Sequence, residues 1–576
     1  MFKRFFGLLM VVLMLTSALA PTFAQDGDED YTDIYGNPLP EDAAPASMQT
    51  FRIMCGTGTH TTFDFAVAVY QRICSTIVSD RFGLQLTNLD QNFNVVPMAA
   101  ESWQVLDDDV TWQVTIKDDL VWSDGTPLTA YDYEATYKYS ADPEHAWDFS
   151  WMYMGVIKNW REVVAGDVPM EELGIRAVDD YTLEFETETP YPAFPSMLQY
   201  SWPLQKAQME EYGPNYNVDP ETSVSSGRWL LETYIPDDKV VLVPNPDFNG
   251  PWPPRLRMVE GFYGEEGTSF IAFQNHDIDM TGVGVADLEI VKEDPILMDN
   301  FLIHYGDFRA DYISFDFEEP FDDINVRLAF AKAVDRKAIY DNVVTPLLGV
   351  DNRSFLMIGF PASDKDSVLQ DVQAYDCEAA QQLLADAGYP DGEGFPAQEL
   401  WLRNLSPGSV WYNLYAAAAQ SISECLNVDI EVSSKDYALF MESLNSHEIS
   451  MYGVDYGMDY LDPSNLLTSL WRCGGRHAWC NEEFDELAAN AASYLGDPQE
   501  RLEMFQEAEK IMVEDVAAIF LGNRWAHNLF QPYIMGEVIR EPDDLGIAGW
   551  HWGSEWALGS FYISKDVMDY DTYRTQ

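Results

Sequence analysis

A change of texture near Phe308 limits more than any other feature what this chain can fold into. Before it, strand signals dominate: "TWQVTIKDDLVW" alternates cleanly, "IRAVDDYTLEFE" reads as a hairpin joined at Asp179-Asp180, and "GRWLLETYIPDDKVVLVP" reads as another. After it, amphipathic helices such as "NVRLAFAKAVDRKAIYDNVV", "DCEAAQQLLADAGY" and "VWYNLYAAAAQSISECL" alternate with the strands "ELWLRNL" and "VDIEVSSKDY". Strand-helix alternation implies βαβ units and an α/β lobe. From about Arg524 short strands return. The pattern predicts an α/β fold with a mixed β-rich first half, an α/β second half, and a tail free to rejoin the first.

The first 24 residues combine Lys3 and Arg4, an apolar run from Phe5 to Leu15, and small residues ending "TFA", which reads as a secretory signal peptide. Residues 25–47, "QDGDEDYTDIYGNPLPEDAAPAS", are acidic and rich in Pro and Gly, and read as a disordered leader. No cysteine sits near the cleavage point to take a lipid, and no later run reaches about 18 apolar residues. The chain is therefore expected to be exported, to the periplasm or the outer face of the membrane. A formal charge of −63 argues against nucleic acid as a partner, because phosphate binding needs clustered Lys and Arg.

In an exported chain, six cysteines read as three disulfides. Many pairings are open. The short loop "CGGRHAWC" favours Cys473–Cys480, after which Cys55–Cys74 and Cys377–Cys425 follow as neighbours in order. A zinc site on Cys473, His477 and Cys480 is the rival, but it has three ligands and no close Cys pair. No cofactor or metal is called for. The chain has no G-x-S-x-G, H-E-x-x-H, Walker loop or G-x-G-x-x-G at a helix start. A glycosidase needs only two carboxylates close in space, so a secreted hydrolase stays as a remote alternative.

The stretch "VVPMAAESWQVLDDDVTWQVTIKDDLVWSDGTPLTAYDYEATY" resembles the signature region of the family 5 solute-binding proteins of ABC importers, the dipeptide- and oligopeptide-binding group. "VPNPDF" at Val243, "HDIDM" at His276, "INVRLAFAKAVDRKAI" at Ile324 and "YDCEAAQQLLADAGYPDG" at Tyr375 match the same family in order. The chain departs from the pattern at "SSGRW", Ser225 to Trp229, where the family has Gly-Thr-Gly-Pro, and at Cys377, where Pro is common. The second departure supports Cys377–Cys425.

The resemblance implies a bilobal clamp of the periplasmic-binding-protein type II kind with an extra inserted domain. Lobe I would take 48–92, 217–306 and 523–576, the inserted mixed β domain 93–216, and lobe II 307–522. Two crossings, near Tyr305–Phe308 and Phe520–Arg524, would form the hinge. It further implies a non-enzymatic, monomeric protein that takes a short peptide between the lobes and hands it to ABC permease subunits. An oligosaccharide or glycoside is the alternative ligand.

In peptide-binding members an aspartate in a Trp-x-x-Asp-Tyr context receives the ligand's α-ammonium group. Asp459-Tyr460 matches that position in "YGVDYGMDYLDPSN", with Tyr456 where the family often has Trp. Tyr437, in "SSKDYALF", falls where another pocket aromatic is usual, and Met458 adds a soft surface for variable side chains. Of the other two acids, Asp462 precedes Pro463 and suits a helix cap, and Asp455 reads as structural.

Overall fold

The computed structural model describes residues 30–55, 82–145, 147, 149–213, 218–264, 266–363, 368–542, 547–551 and 557–570. Three sheets of four or more strands organise these residues. An eight-stranded sheet orders its strands Ala548–His551, Phe301–Gly306, Ala526–Phe530, Met280–Thr281, Thr50–Met54, Met258–Phe262, Lys239–Pro244 and Trp229–Ile235. Strands from the start, middle and end of the chain thus share one sheet, so the tail does rejoin the first half.

A six-stranded sheet follows the order Gly349–Asp351, Ile519–Arg524, Ala310–Phe315, Met451–Tyr456, Gln398–Arg403 and Ile430–Lys435. Gln398–Arg403 pairs in parallel with both Ile430–Lys435 and Met451–Tyr456, with helices Val410–Leu426 and Tyr437–Asn445 between the strands. These are the βαβ units expected from the alternation. Helices cover both faces, so all six residues of Ala310–Phe315 are buried, while the edge strand Ile430–Lys435 is only partly covered.

A four-stranded antiparallel sheet, Ala100–Val105, Thr111–Ile116, Thr182–Glu186 and Ile175–Asp179, lies within 93–216. Its aromatic core includes Trp122, Tyr133, Trp160 and Phe185. Leu84 and Leu86 join that core, and the ribbon Thr87–Leu89/Val95–Pro97 spans the expected boundary at 92–93.

The chain passes twice between the two large sheets. It leaves Phe301–Gly306 and enters Ala310–Phe315 after three residues, and it returns from Ile519–Arg524 to Ala526–Phe530 through Trp525 alone. Gly306 has φ +62°, and a Cβ there would lie 2.7 Å from that of Ala526, so glycine is required where the two crossings touch. Tyr305, Phe308 and Phe93 pack edge-to-face and stacked around the crossing, with ring centroids 4.9–5.3 Å apart.

The acidic leader needs a correction. Residues 30–47 are packed rather than disordered: Ala43, Ala44 and Ala46 are buried, Ala44 N–H donates to Ile563 O at 2.8 Å, and Ala43 bridges to Ser564. Small Ala and Pro side chains let this segment lie flush on the C-terminal strand, a gain that composition cannot register.

Among the described residues two disulfides are present, Cys377–Cys425 with Cα atoms 5.7 Å apart and Cys473–Cys480 at 4.4 Å. The expected Cys55–Cys74 pairing involves Cys74, which lies outside the described residues, as do the signal peptide and residues 25–29. Among the described residues no helix is long and apolar enough to cross a membrane.

Candidate functional site: a cleft at the hinge and the loop beside it

A cleft of about 880 Å³ opens at the two crossings. The eight-stranded side contributes Phe270 and the backbone of Gly282-Val283-Gly284. Asp307, Arg309 and Trp525 supply the hinge wall, and Trp411 and Arg524 face them from the six-stranded side.

The floor behind Arg524 is a charge network. Asp311 and Asp455 stand directly opposite each other on antiparallel strands, both buried. Two facing carboxylates repel unless cations intervene. Arg524 donates Nε to Asp311 Oδ2 at 2.8 Å and Nη2 to Oδ1 at 2.6 Å, and reaches Asp455 Oδ1 at 3.4 Å. Arg403 Nη2 donates to Asp455 Oδ1 at 3.1 Å, and Arg309 pairs with Asp455 Oδ2 and Asp307. Burial alone would raise the Asp455 carboxyl, but the Arg524, Arg309 and Arg403 charges outweigh it and hold the group well below the usual carboxylate range. The Arg524 guanidinium also lies 4.0 Å from the ring centre of Trp411.

Past Asp455 the chain turns around the hinge. A side chain on Gly457 would collide with the Asp307 carboxylate, and Met458 N–H donates to Asp307 O at 2.6 Å. Asp459 follows. Its Oδ2 accepts from Tyr456 Oη at 2.6 Å and from Asn465 Nδ2 at 3.0 Å, while its N–H donates to Asn465 Oδ1 at 2.8 Å. Gln199 Nε2, at 3.3 Å, and the Tyr200 hydroxyl, both from the inserted domain, hold its carbonyl. No described residue donates to Oδ1. Burial raises the Asp459 carboxyl above its ordinary value, against the bonds from Asn465 and Tyr456 and the nearby Arg476 charge.

Of the five residues expected at the ligand, the structure brings Tyr456 and Asp459 together. Tyr460 lies elsewhere: it is 3% exposed within the core of the inserted domain, where its hydroxyl meets that of Tyr191. Met458, also 3% exposed, belongs to the core of the six-stranded lobe. Tyr437 is 58% exposed at the start of Tyr437–Asn445, with the Arg403 guanidinium 5.8 Å over its ring. Asp462 caps Pro463–Trp471, accepting from Ser464 N–H at 2.9 Å, and takes Arg501 in a bidentate pair at 2.7 and 2.8 Å. Sequence reasoning missed Arg309, Arg403, Arg524, Trp411 and Tyr200, which carry no local motif. The Cys473–Cys480 bridge was the one cue to the neighbouring Arg476.

His477 is no metal ligand. It is buried between two tyrosine hydroxyls, with Nδ1 2.8 Å from Tyr452 and Nε2 3.0 Å from Tyr312, and burial pulls its pKa well down. The flanking cysteines are bonded to each other.

Residues 94–478 match the family described as bacterial extracellular solute-binding proteins, family 5 Middle. The chain belongs to that family. This solute-binding protein is 26% identical over 490 residues to the probable deoxycholate-binding periplasmic protein YgiS of Escherichia coli (strain K12), covering 83% of this chain and 88% of the relative. It is 25% identical over 489 residues to the periplasmic oligopeptide-binding protein OppA of the same strain, covering 82% and 86%. The unliganded open form of the periplasmic murein tripeptide-binding protein MppA shares the fold, with a TM-score of 0.74 at 22% identity over 91% of this chain and 99% of that one.

Proposed function

We propose that this solute-binding protein captures a short peptide between its lobes, without catalysis, and delivers it as a monomer to the permease subunits of an ABC importer. The observation that carries the reading is the Asp459 carboxylate: one oxygen is fixed by Tyr456 and Asn465, and the other accepts from no described residue. Such a group, partly withdrawn from water beside a hinge, makes charge-assisted hydrogen bonds with a free ammonium. It also rejects ligands that would leave it unpaired. Ligand binding then shifts the hinge toward closure by whatever affinity the closed state adds.

The printed name of OppA supports a peptide over the oligosaccharide and hydrolase alternatives, whereas that of YgiS carries deoxycholate. A thermal-shift screen of the exported protein against tri- to pentapeptide pools and against oligosaccharides tests this. A ligand at 100 times its dissociation constant adds about 2.7 kcal/mol, enough to read directly. Stabilisation by peptides alone is expected, and stabilisation by saccharides alone would overturn the reading.

A further inference from the structure

The loop Cys473–Cys480 is anchored far more firmly than its length requires. A disulfide closes it. His477, 1% exposed, is pinned by the Tyr312 and Tyr452 hydroxyls, and its ring centre lies 4.3 Å from that of Trp471. Trp479, 2% exposed, donates Nε1 to Asp515 Oδ2 at 2.8 Å. Between these anchors stands Arg476, half-buried, its guanidinium 5.4 Å from the centre of the Tyr456 ring. The hydroxyl of that same tyrosine binds Asp459.

Arg476 has neither an ion pair nor a hydrogen bond among the described residues; its contact with Tyr456 is a cation–π one. Arg309, Arg403, Arg501 and Arg524, by contrast, all sit on carboxylates. The pedestal holds this cation near enough to Asp459 for its charge to act on that carboxyl, yet no carboxylate of the described residues pairs with it, so the guanidinium remains open to an anion brought by something else.

We propose that Arg476 is a specificity residue: it receives a carboxylate carried on the first or second residue of the peptide whose α-ammonium group Asp459 takes. This rests on the peptide reading above. A peptide advances about 3.3–3.6 Å per residue, so an acidic side chain on its first or second residue stays close to the amino end that Asp459 takes, and so to the cation beside it. Arg suits the role because its planar fork offers a carboxylate two parallel bonds.

The test is calorimetric titration of the tetrapeptides Glu-Ala-Ala-Ala and Ala-Glu-Ala-Ala, each against its Gln counterpart and its N-acetylated form, into wild type, Arg476→Gln and Arg476→Lys. Wild type should prefer at least one Glu peptide about tenfold. Arg476→Gln should abolish the preference while leaving Gln-peptide affinity within about twofold, and Arg476→Lys should restore part of it. Equal affinity for Glu and Gln peptides in wild type, or a preference that survives in Arg476→Gln, would overturn the assignment while acetylation still weakens binding. Acetylation without effect, beside an Arg476-dependent Glu preference, would overturn the Asp459 reading and leave Arg476 standing. If no peptide binds, both fall.

Discussion

Asp455 and Asp459 lie four residues apart in one short stretch, yet they occupy opposite electrostatic situations. Asp455, next to last in the central strand Met451–Tyr456, has three arginines on its two oxygens, and its charge is spent inside the fold. Asp459 sits beyond the Gly457 turn, held by neutral donors on one oxygen and its backbone, and no described residue donates to its other oxygen. The first carboxylate holds the hinge strands together. The second forms no ion pair within the described fold, which is what the ammonium site proposed above requires.

The largest effect should come from the first. Replacing Asp455 with Ala leaves Arg309, Arg403 and Arg524 short of a buried counter-charge and should cost about 3–5 kcal/mol in urea denaturation. Asp459→Asn should leave denaturation nearly unchanged but weaken peptide binding by about 1.5–3 kcal/mol, roughly 10- to 100-fold by calorimetry. If Asp459→Asn destabilised the protein as much as Asp455→Ala, the contrast would fail. Tyr200→Phe removes the hydroxyl that holds the Asp459 carbonyl, with an expected loss of about 1 kcal/mol, or roughly fivefold in affinity.

pH separates the pair by sign. The Asp455 carboxyl is lowered in the fold, so its stabilisation is complete above the ordinary value of 3.8 and is lost as pH falls through the lowered one. The Asp459 carboxyl is raised, so its contribution is complete below 3.8 and is lost as pH rises through the raised value. Denaturation midpoints across this range should therefore show Asp459→Asn gaining on wild type as pH rises. The Asp455→Ala deficit should shrink on acidification.

Much of the scaffold was legible because its signals are local. Period-two runs marked Thr111–Ile116 and Trp229–Ile235, Asp-Pro marked the Pro463 helix start, and strand-helix alternation marked the six-stranded sheet. The Tyr456–Asp459 pair was legible through family resemblance. What escaped depends on distant partners: Arg309 reaches Asp455 from 146 residues away, and Ala43 meets a strand more than 500 residues later. Tyr460 looked like a ligand aromatic through the family's Asp-Tyr pattern, but Tyr191 and the inserted domain enclose it.

The central claim is that Asp459 takes the free amino end of a peptide. Calorimetric titration of one well-bound peptide and its N-acetylated form into wild type and Asp459→Asn tests it directly. Acetylation should weaken wild-type binding at least tenfold and should have little further effect on Asp459→Asn. Equal binding of the free and acetylated peptides by wild type would contradict it.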